Sequence, residues 1–162
     1  MAIDIYLKFG GPELKGESRD KDMKDAIELS SWAWNHSVQY NPDTGKVGGR
    51  INVSAIMFTK DVDKSSPILI QKMADNEAFD TADIIVRKTQ PGGHFDYYVI
   101  NLKNARIVDL QTSVSAGMEK ISESGQLAFS SYAIKYQPEA PEGGPEGGEV
   151  ETEYNLLEHT AG

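Results

Sequence analysis

The 162-residue sequence contains no cysteine, so neither a disulfide nor a thiolate metal ligand is available to it. It also lacks any apolar run approaching the roughly 20 residues that a membrane-spanning helix requires. The opening residues, Met1-Ala2-Ile3-Asp4-Ile5, place an acid where a secretory signal needs a basic region and an apolar stretch. The expectation is a soluble protein made in the cytoplasm without a signal peptide. Basic residues are missing from the end of the chain. From Pro138 onward there are seven acids and no Lys or Arg, which leaves 18 acids against 16 bases in residues 1–137. A balanced body with an acidic tail offers no basic face for phosphates and argues against a nucleic-acid partner.

Catalytic constellations are equally sparse. The three histidines, His36, His94 and His159, are far apart and show no metal-ligand spacing. His94-Phe95-Asp96 sits beside a turn and reads as hairpin surface. The serine pairs do not lie in a nucleophile elbow. Gly45-Lys46 lacks the upstream glycine of a phosphate loop, and Val47 stands where the hydroxyl residue belongs. No carboxylate pair is singled out by an apolar surrounding. The expectation is a protein that is not an enzyme and needs no cofactor.

What the sequence does have is strand periodicity. Ile3, Ile5, Leu7 and Phe9 alternate with Asp4, Tyr6 and Lys8, a half-buried strand that Gly10-Gly11-Pro12 ends. Residues 13–26 read as a charged surface loop. Further strands are expected at Ile27–Val38, Arg50–Thr59, Ala82–Lys88, His94–Leu102, Ala105–Ser115 and Gln126–Tyr136, with a short last one at Glu151–Leu157. Pro91-Gly92-Gly93 signals a hairpin turn. Two strands change phase: Ile27 and Leu29 give way to Trp32 and Trp34, and Leu127 and Phe129 to Tyr132, Ile134 and Tyr136. A change of phase demands a bulge, a bend or burial of both faces. The Pro/Gly/Glu-rich residues 138–149 suit a solvated surface segment. A single domain over 1–162, mainly all-β and built as a barrel or sandwich, is the expected architecture.

The one helix begins at a corner. Phe58 ends a strand, Ser66 is placed to cap a helix with its hydroxyl, and Pro67 falls at the first helical position. The helix is expected from Ile68 to about Asn76, with Leu69, Ile70 and Met73 on its buried stripe. Trp32 and Trp34, on one strand face, read first as core and second as an interface anchor. The segment Tyr40–Gly49 is longer than a hairpin turn needs, and its glycines and Pro42 suggest a projecting loop with a task.

The stretch Phe58–Pro67, reading FTKDVDKSSP, follows KGESRD at Lys15–Asp20 and SWAWNHS at Ser31–Ser37. With Gly45-Lys46-Val47, Arg87-Lys88, Tyr97-Tyr98 and the Tyr136-Gln137-Pro138 exit, these motifs resemble the haemolysin-coregulated protein family of bacterial type VI secretion. The resemblance implies a small closed β-barrel of bent antiparallel strands with one side helix, similar to phage tail-tube subunits. It implies a homohexameric ring and stacked rings forming a tube. The implied partners are other copies of the chain, a spike protein at the tip, a contractile sheath and small effector cargo in the lumen, with export to the medium or a target cell. It also places Asp43, Thr44, Gly45, Lys46, Val47 and Gly48 in a loop that reaches toward the next ring. The family often has glycine just past the helix; here Asp75-Asn76-Glu77 stands there, with Asn76 as the left-handed cap. The competing readings are a tube subunit of another phage-like injection machine and a monomeric β-sandwich binding module.

Overall fold

The computed structural model describes residues 2–158, so His159 and the last positions of the expected domain lie outside the described residues. The first half contributes β1 (Ile3–Gly10), β2 (Ile27–Leu29), β3 (Ser31–Ala33), β4 (His36–Asn41), β5 (Lys46–Val53) and β6 (Ile56–Asp61). Helix α1 (Ser66–Ala74) follows, then β7 (Phe79–Gln90), β8 (Gly93–Ser113), β9 (Ser122–Ala128), β10 (Ser131–Tyr136) and β11 (Val150–Asn155). The protein is all-β with one helix, as expected.

The main sheet runs β2-β1-β7-β8-β9-β6-β3, every ladder antiparallel, with β10 on β8 and β11 on β10. The hydrogen-bonded sheet does not close into the expected barrel. Its path begins on β2 and ends on β3, segments that adjoin at Ser30 alone. Ser30 N–H donates to Thr59 O at 2.7 Å, so the chain changes partners from β1 to β6 within one residue. That is the physical content of the phase change between Leu29 and Trp32. The second phase change falls at Phe129-Ser130, where β9, paired with β6, gives way to β10, paired with β8.

The two strands expected at 94–102 and 105–115 are one. β8 spans 21 residues and turns from β7 to β9 near Asn104, which adopts φ 52°, with a register shift between Ile107 and Asp109. Asn tolerates the left-handed region through local polar contacts, so a bend there needs no glycine. The β7–β8 turn has Pro91 followed by Gly92 at φ 86°, the pattern a type II turn requires.

The core lies between the sheet and α1. Leu7, Phe9, Ile27, Ile56, Phe58, Leu69, Phe79, Ile84, Ile100, Leu102 and Leu127 are all buried there, and Phe9 stacks on Phe79 at 4.1 Å. Leu69 is fully buried and Met73 packs beside it, whereas Ile70 is exposed. The helix therefore presents an i, i+4 pair to the core rather than the three-residue stripe. Its end follows the Schellman pattern. Asn76 at φ 56° donates to Met73 O and Glu77 N–H to Lys72 O at 3.0 Å.

Residues 13–26 do more than run over the surface. Leu14, Met23 and Ala26 are buried, and Met23 and Ala26 cover Tyr6 and Ile85 on the other side of β1 and β7. Tyr6, counted as outward-facing by alternation, is thus enclosed. Gly16 makes this possible: a Cβ there would lie 2.5 Å from Ala26 O and 2.7 Å from Ile27 Cα. Burial, with the Asp20, Asp4 and Glu28 carboxylates nearby, pushes the Tyr6 phenol from 10.0 up to about 12.

Candidate assembly site and its buried corner

Two features stand out from the barrel-like body: a hairpin that leaves it, and a charged corner sealed inside it. β4 and β5 pair only with each other, as a two-stranded sheet. The expected loop at Tyr40–Gly49 is mostly strand, because Gln39, Tyr40 and Asn41 pair with Gly48, Val47 and Lys46. Only Pro42, Asp43, Thr44 and Gly45 form the turn, with Asp43 N–H held by Asn41 Oδ1 at 2.9 Å and Gly45 at φ 68°. Gly45 closes the turn while Gly48 and Gly49 lie inside β5, and nothing lies within 4 Å of their Cβ positions. Val38, Tyr40 and Val47 are exposed by 48%, 61% and 61%. Two strands alone are marginal in water.

The hairpin leaves the body at Trp34. Its indole N–H donates to Ser54 O at 2.9 Å, and its ring meets Tyr132 edge-on at 4.8 Å and His36 at 4.3 Å. Trp32 stacks on Tyr98 at 5.8 Å. Both tryptophans are half-buried against the core, so their first role is packing at the root of the projection.

The corner corrects the expectation for Ser66. The helix starts at Ser66 itself, its N-cap is Ser65 with no side-chain cap bond, and Pro67 follows one residue inside. Ser66 Oγ serves other groups. It accepts from Asp63 N–H at 3.1 Å and from Lys60 Nζ at 2.9 Å, and donates to Glu123 Oε1 at 3.0 Å. Asp63 Oδ1 in turn accepts from Ser65 N–H at 2.9 Å, and the Ser65 hydroxyl also bonds to it. The Asp63 and Ser66 side chains thus satisfy the backbone N–H groups of Ser65 and Asp63, related to a capping box but not reciprocal between one pair. The hydroxyl is diverted because a buried charge needs it more.

That charge is Lys60. It is 1% exposed and its ammonium lies 2.8 Å from Glu123 Oε1 and 3.2 Å from Asp63 Oδ1, with Asp61 O at 3.3 Å. Glu123 is equally buried, and its Oε2 has no hydrogen-bond partner among the described residues. Sequence reading passed over both. The signal was present in strand phase: Ile56, Phe58 and Lys60 share the inward face of β6, and Glu123 stands opposite Lys60 in the ladder. Gly125 lets β9 approach, since a Cβ there would meet Phe58 Cζ at 2.7 Å and Asp109 O at 2.9 Å.

The sequence motifs meet through such contacts. Glu17 Oε2 accepts Lys64 N–H at 3.1 Å, joining KGESRD to the corner. Arg87, 6% exposed, reaches Asp20 at 3.4 Å, Asp22 at 3.5 Å and Asp96 at 3.3 Å. Backbone N–H groups of Asp22 and Met23, with Arg87 beside them, hold the Asp20 carboxyl below its usual range. Lys88 pairs with Glu139 and lies 4.1 Å from the Tyr97 ring, while Gln137 Nε2 donates to Pro138 O at 3.1 Å and Gly147 O at 3.2 Å. The Pro/Gly/Glu-rich segment is therefore tied back to the β7–β8 hairpin rather than left solvated along its length.

Residues 6–136 match the family profile described as "Type VI secretion system effector, Hcp". Protein hcp1 of Pseudomonas aeruginosa is 30% identical over 161 residues, covering 98% of each chain. Hcp1 from Salmonella typhimurium, a crystal structure, is 26% identical with a TM-score of 0.80 and 99% of each chain covered. A solved type six secretion system protein at 22% identity superposes with a TM-score of 0.90 over 99% of this chain and 100% of its own, a likeness of fold.

Proposed function

Because the chain belongs to the Hcp family of type VI secretion system proteins, we infer that it is a structural tube subunit acting without catalysis. It forms homohexameric rings through heterologous contacts repeated until they close. Rings stack into a tube that a contractile sheath drives out behind a spike, with small effectors carried in the lumen. Export of the subunit itself follows from that route.

The observation that carries this reading is the β4–β5 hairpin. It stands outside the sheet with Val38, Tyr40 and Val47 uncovered, and a neighbouring copy supplies the missing cover. Asp43, Thr44, Gly45, Lys46, Val47 and Gly48 at its tip and second strand make the contact with the next ring.

Shortening Asp43–Gly48 to a two-residue turn is expected to leave hexameric rings intact in sedimentation and electron micrographs while abolishing tubes and export. The parent protein is expected in culture medium only when the sheath is functional. Normal tubes and export from the shortened chain would remove the hairpin from stacking. A parent that stays monomeric at tens of micromolar, or about that concentration, would remove the ring itself.

A further inference from the structure

We propose that the groove between α1 and the Pro12–Lys15 segment is a docking site for an acidic peptide segment of another protein, anchored by one apolar side chain. The groove is separate from the projecting hairpin and the argument for it does not depend on ring formation. It measures about 460 Å³ and is lined by Pro12, Leu14, Ile68 and Phe79, with Lys15, Lys64 and Lys72 around them. Leu14 and Phe79 are buried and form an apolar floor, while Ile68 stands 45% exposed on the helical wall. A volume of this order takes one or two large side chains.

Charge decides the kind of segment. The lining carries three ammonium groups and one carboxylate, Glu13, on a chain whose net charge is −9. Lys64 has no side-chain ion pair among the described residues; its backbone N–H is already satisfied by Glu17. Lys15 reaches Asp25 only at 4.0 Å, with the Lys15 side chain largely open to water and that of Asp25 34% exposed. Lys72 pairs with Glu77 at 2.6 Å and lies 5.8 Å from the Phe79 ring centroid, so it is held over the floor. The long Lys15–Asp25 pair is of the weak kind that exchanges readily with an incoming carboxylate. A basic segment is repelled, and three lysines around an apolar floor are too few for a nucleic-acid backbone. An apolar side chain seated between Leu14 and Ile68, with flanking carboxylates reaching Lys64 and Lys15, satisfies both floor and rim.

The test uses the full chain and a fluorescein-labelled peptide, Glu-Asp-Phe-Leu-Asp-Glu, read by anisotropy. Saturable binding is expected, weakening as salt rises. Lys64→Glu and Ile68→Ser should each weaken it by about tenfold or more, while Lys103→Glu, the same charge change elsewhere, leaves it unchanged. Circular dichroism confirms that each variant is folded. The proposal is overturned by absence of saturation up to about 1 mM peptide, by equal loss in all charge variants, or by equal binding of the Gln/Asn version of the peptide. It is also overturned if Ile68→Ser changes the sedimentation of the protein alone, because a second copy then occupies the groove.

Discussion

Replacing Lys60 by Met tests whether the strand–helix corner is held by a sealed charge cluster. The substitution keeps the length and removes the only cation that, among the described residues, pairs with Glu123 and Asp63, at 2.8 and 3.2 Å. Removing one partner of a buried pair strands the other, at a cost of about 3–5 kcal/mol. Glu123→Gln is milder, since Lys60 keeps Asp63 and Ser66; loss of a charged hydrogen bond predicts about 1.5–3 kcal/mol. The double variant Lys60→Met with Glu123→Gln leaves Asp63 as the one remaining charge, and its cost should fall short of the sum of the two singles by about 0.5–3 kcal/mol. Melting at one fixed protein concentration, because assembly contributes to the midpoint, reads these values as about 2–4 °C per kcal/mol. Lys60→Met should therefore melt roughly 6–20 °C below the parent. A drop under about 3 °C, or strict additivity in the double variant, would refute a dry, coupled cluster.

Ser66→Ala should cost about 1–3 kcal/mol by urea denaturation, more than a simple cap, because Lys60, Asp63 N–H and Glu123 all lose a partner. Leu69→Asp should prevent α1 from docking and yield little soluble protein, as a carboxylate replaces a side chain with no exposure. Tyr6 should be the late phenol in a spectrophotometric titration: with its folded value raised from 10.0 to about 12, its contribution to stability is complete below pH 10 and is lost as pH rises through 12. A Tyr6→Phe variant whose alkaline unfolding matches the parent's would contradict that enclosure. Asp20 has the opposite sign, its contribution being present above the unfolded value and lost as pH falls below it, so Asp20→Asn should flatten the acid limb of the stability profile.

Much of the architecture was legible in the chain because strand phase survives translation into structure. The breaks at Ser30 and Phe129-Ser130 sit where Trp32 and Tyr132 leave the preceding alternation. Asn76 could be assigned its left-handed turn from the absence of glycine. Legibility failed where a distant segment changes what a position faces. Tyr6 looked outward until residues 13–26 covered it, and Ile70 looked inward by helical spacing until the body turned out to meet only Leu69 and Met73. Lys60 and Glu123 drew no expectation from their chemistry, although strand phase placed both inside. The glycines of Tyr40–Gly49 suggested a loop, whereas Lys46, Val47 and Gly48 pair as strand and only the turn before them is irregular.

The sheet order also governs how the chain comes into being. β1 finds its long partner in β7, with Ile3 opposite Lys88 and Gly10 opposite Thr81. Emerging at about 5–20 residues per second, the first strand waits several seconds for the one that will flank it. β2 emerges sooner and pairs with Ile5, Tyr6 and Leu7 on one side, but the edge of β1 that β7 takes stays open through that interval. Such non-local pairing makes folding slow and leaves nascent chains open to mispairing with one another. In a cell making many copies at once, the strand chemistry that builds the sheet therefore also favours mispairing between nascent chains until β7 arrives.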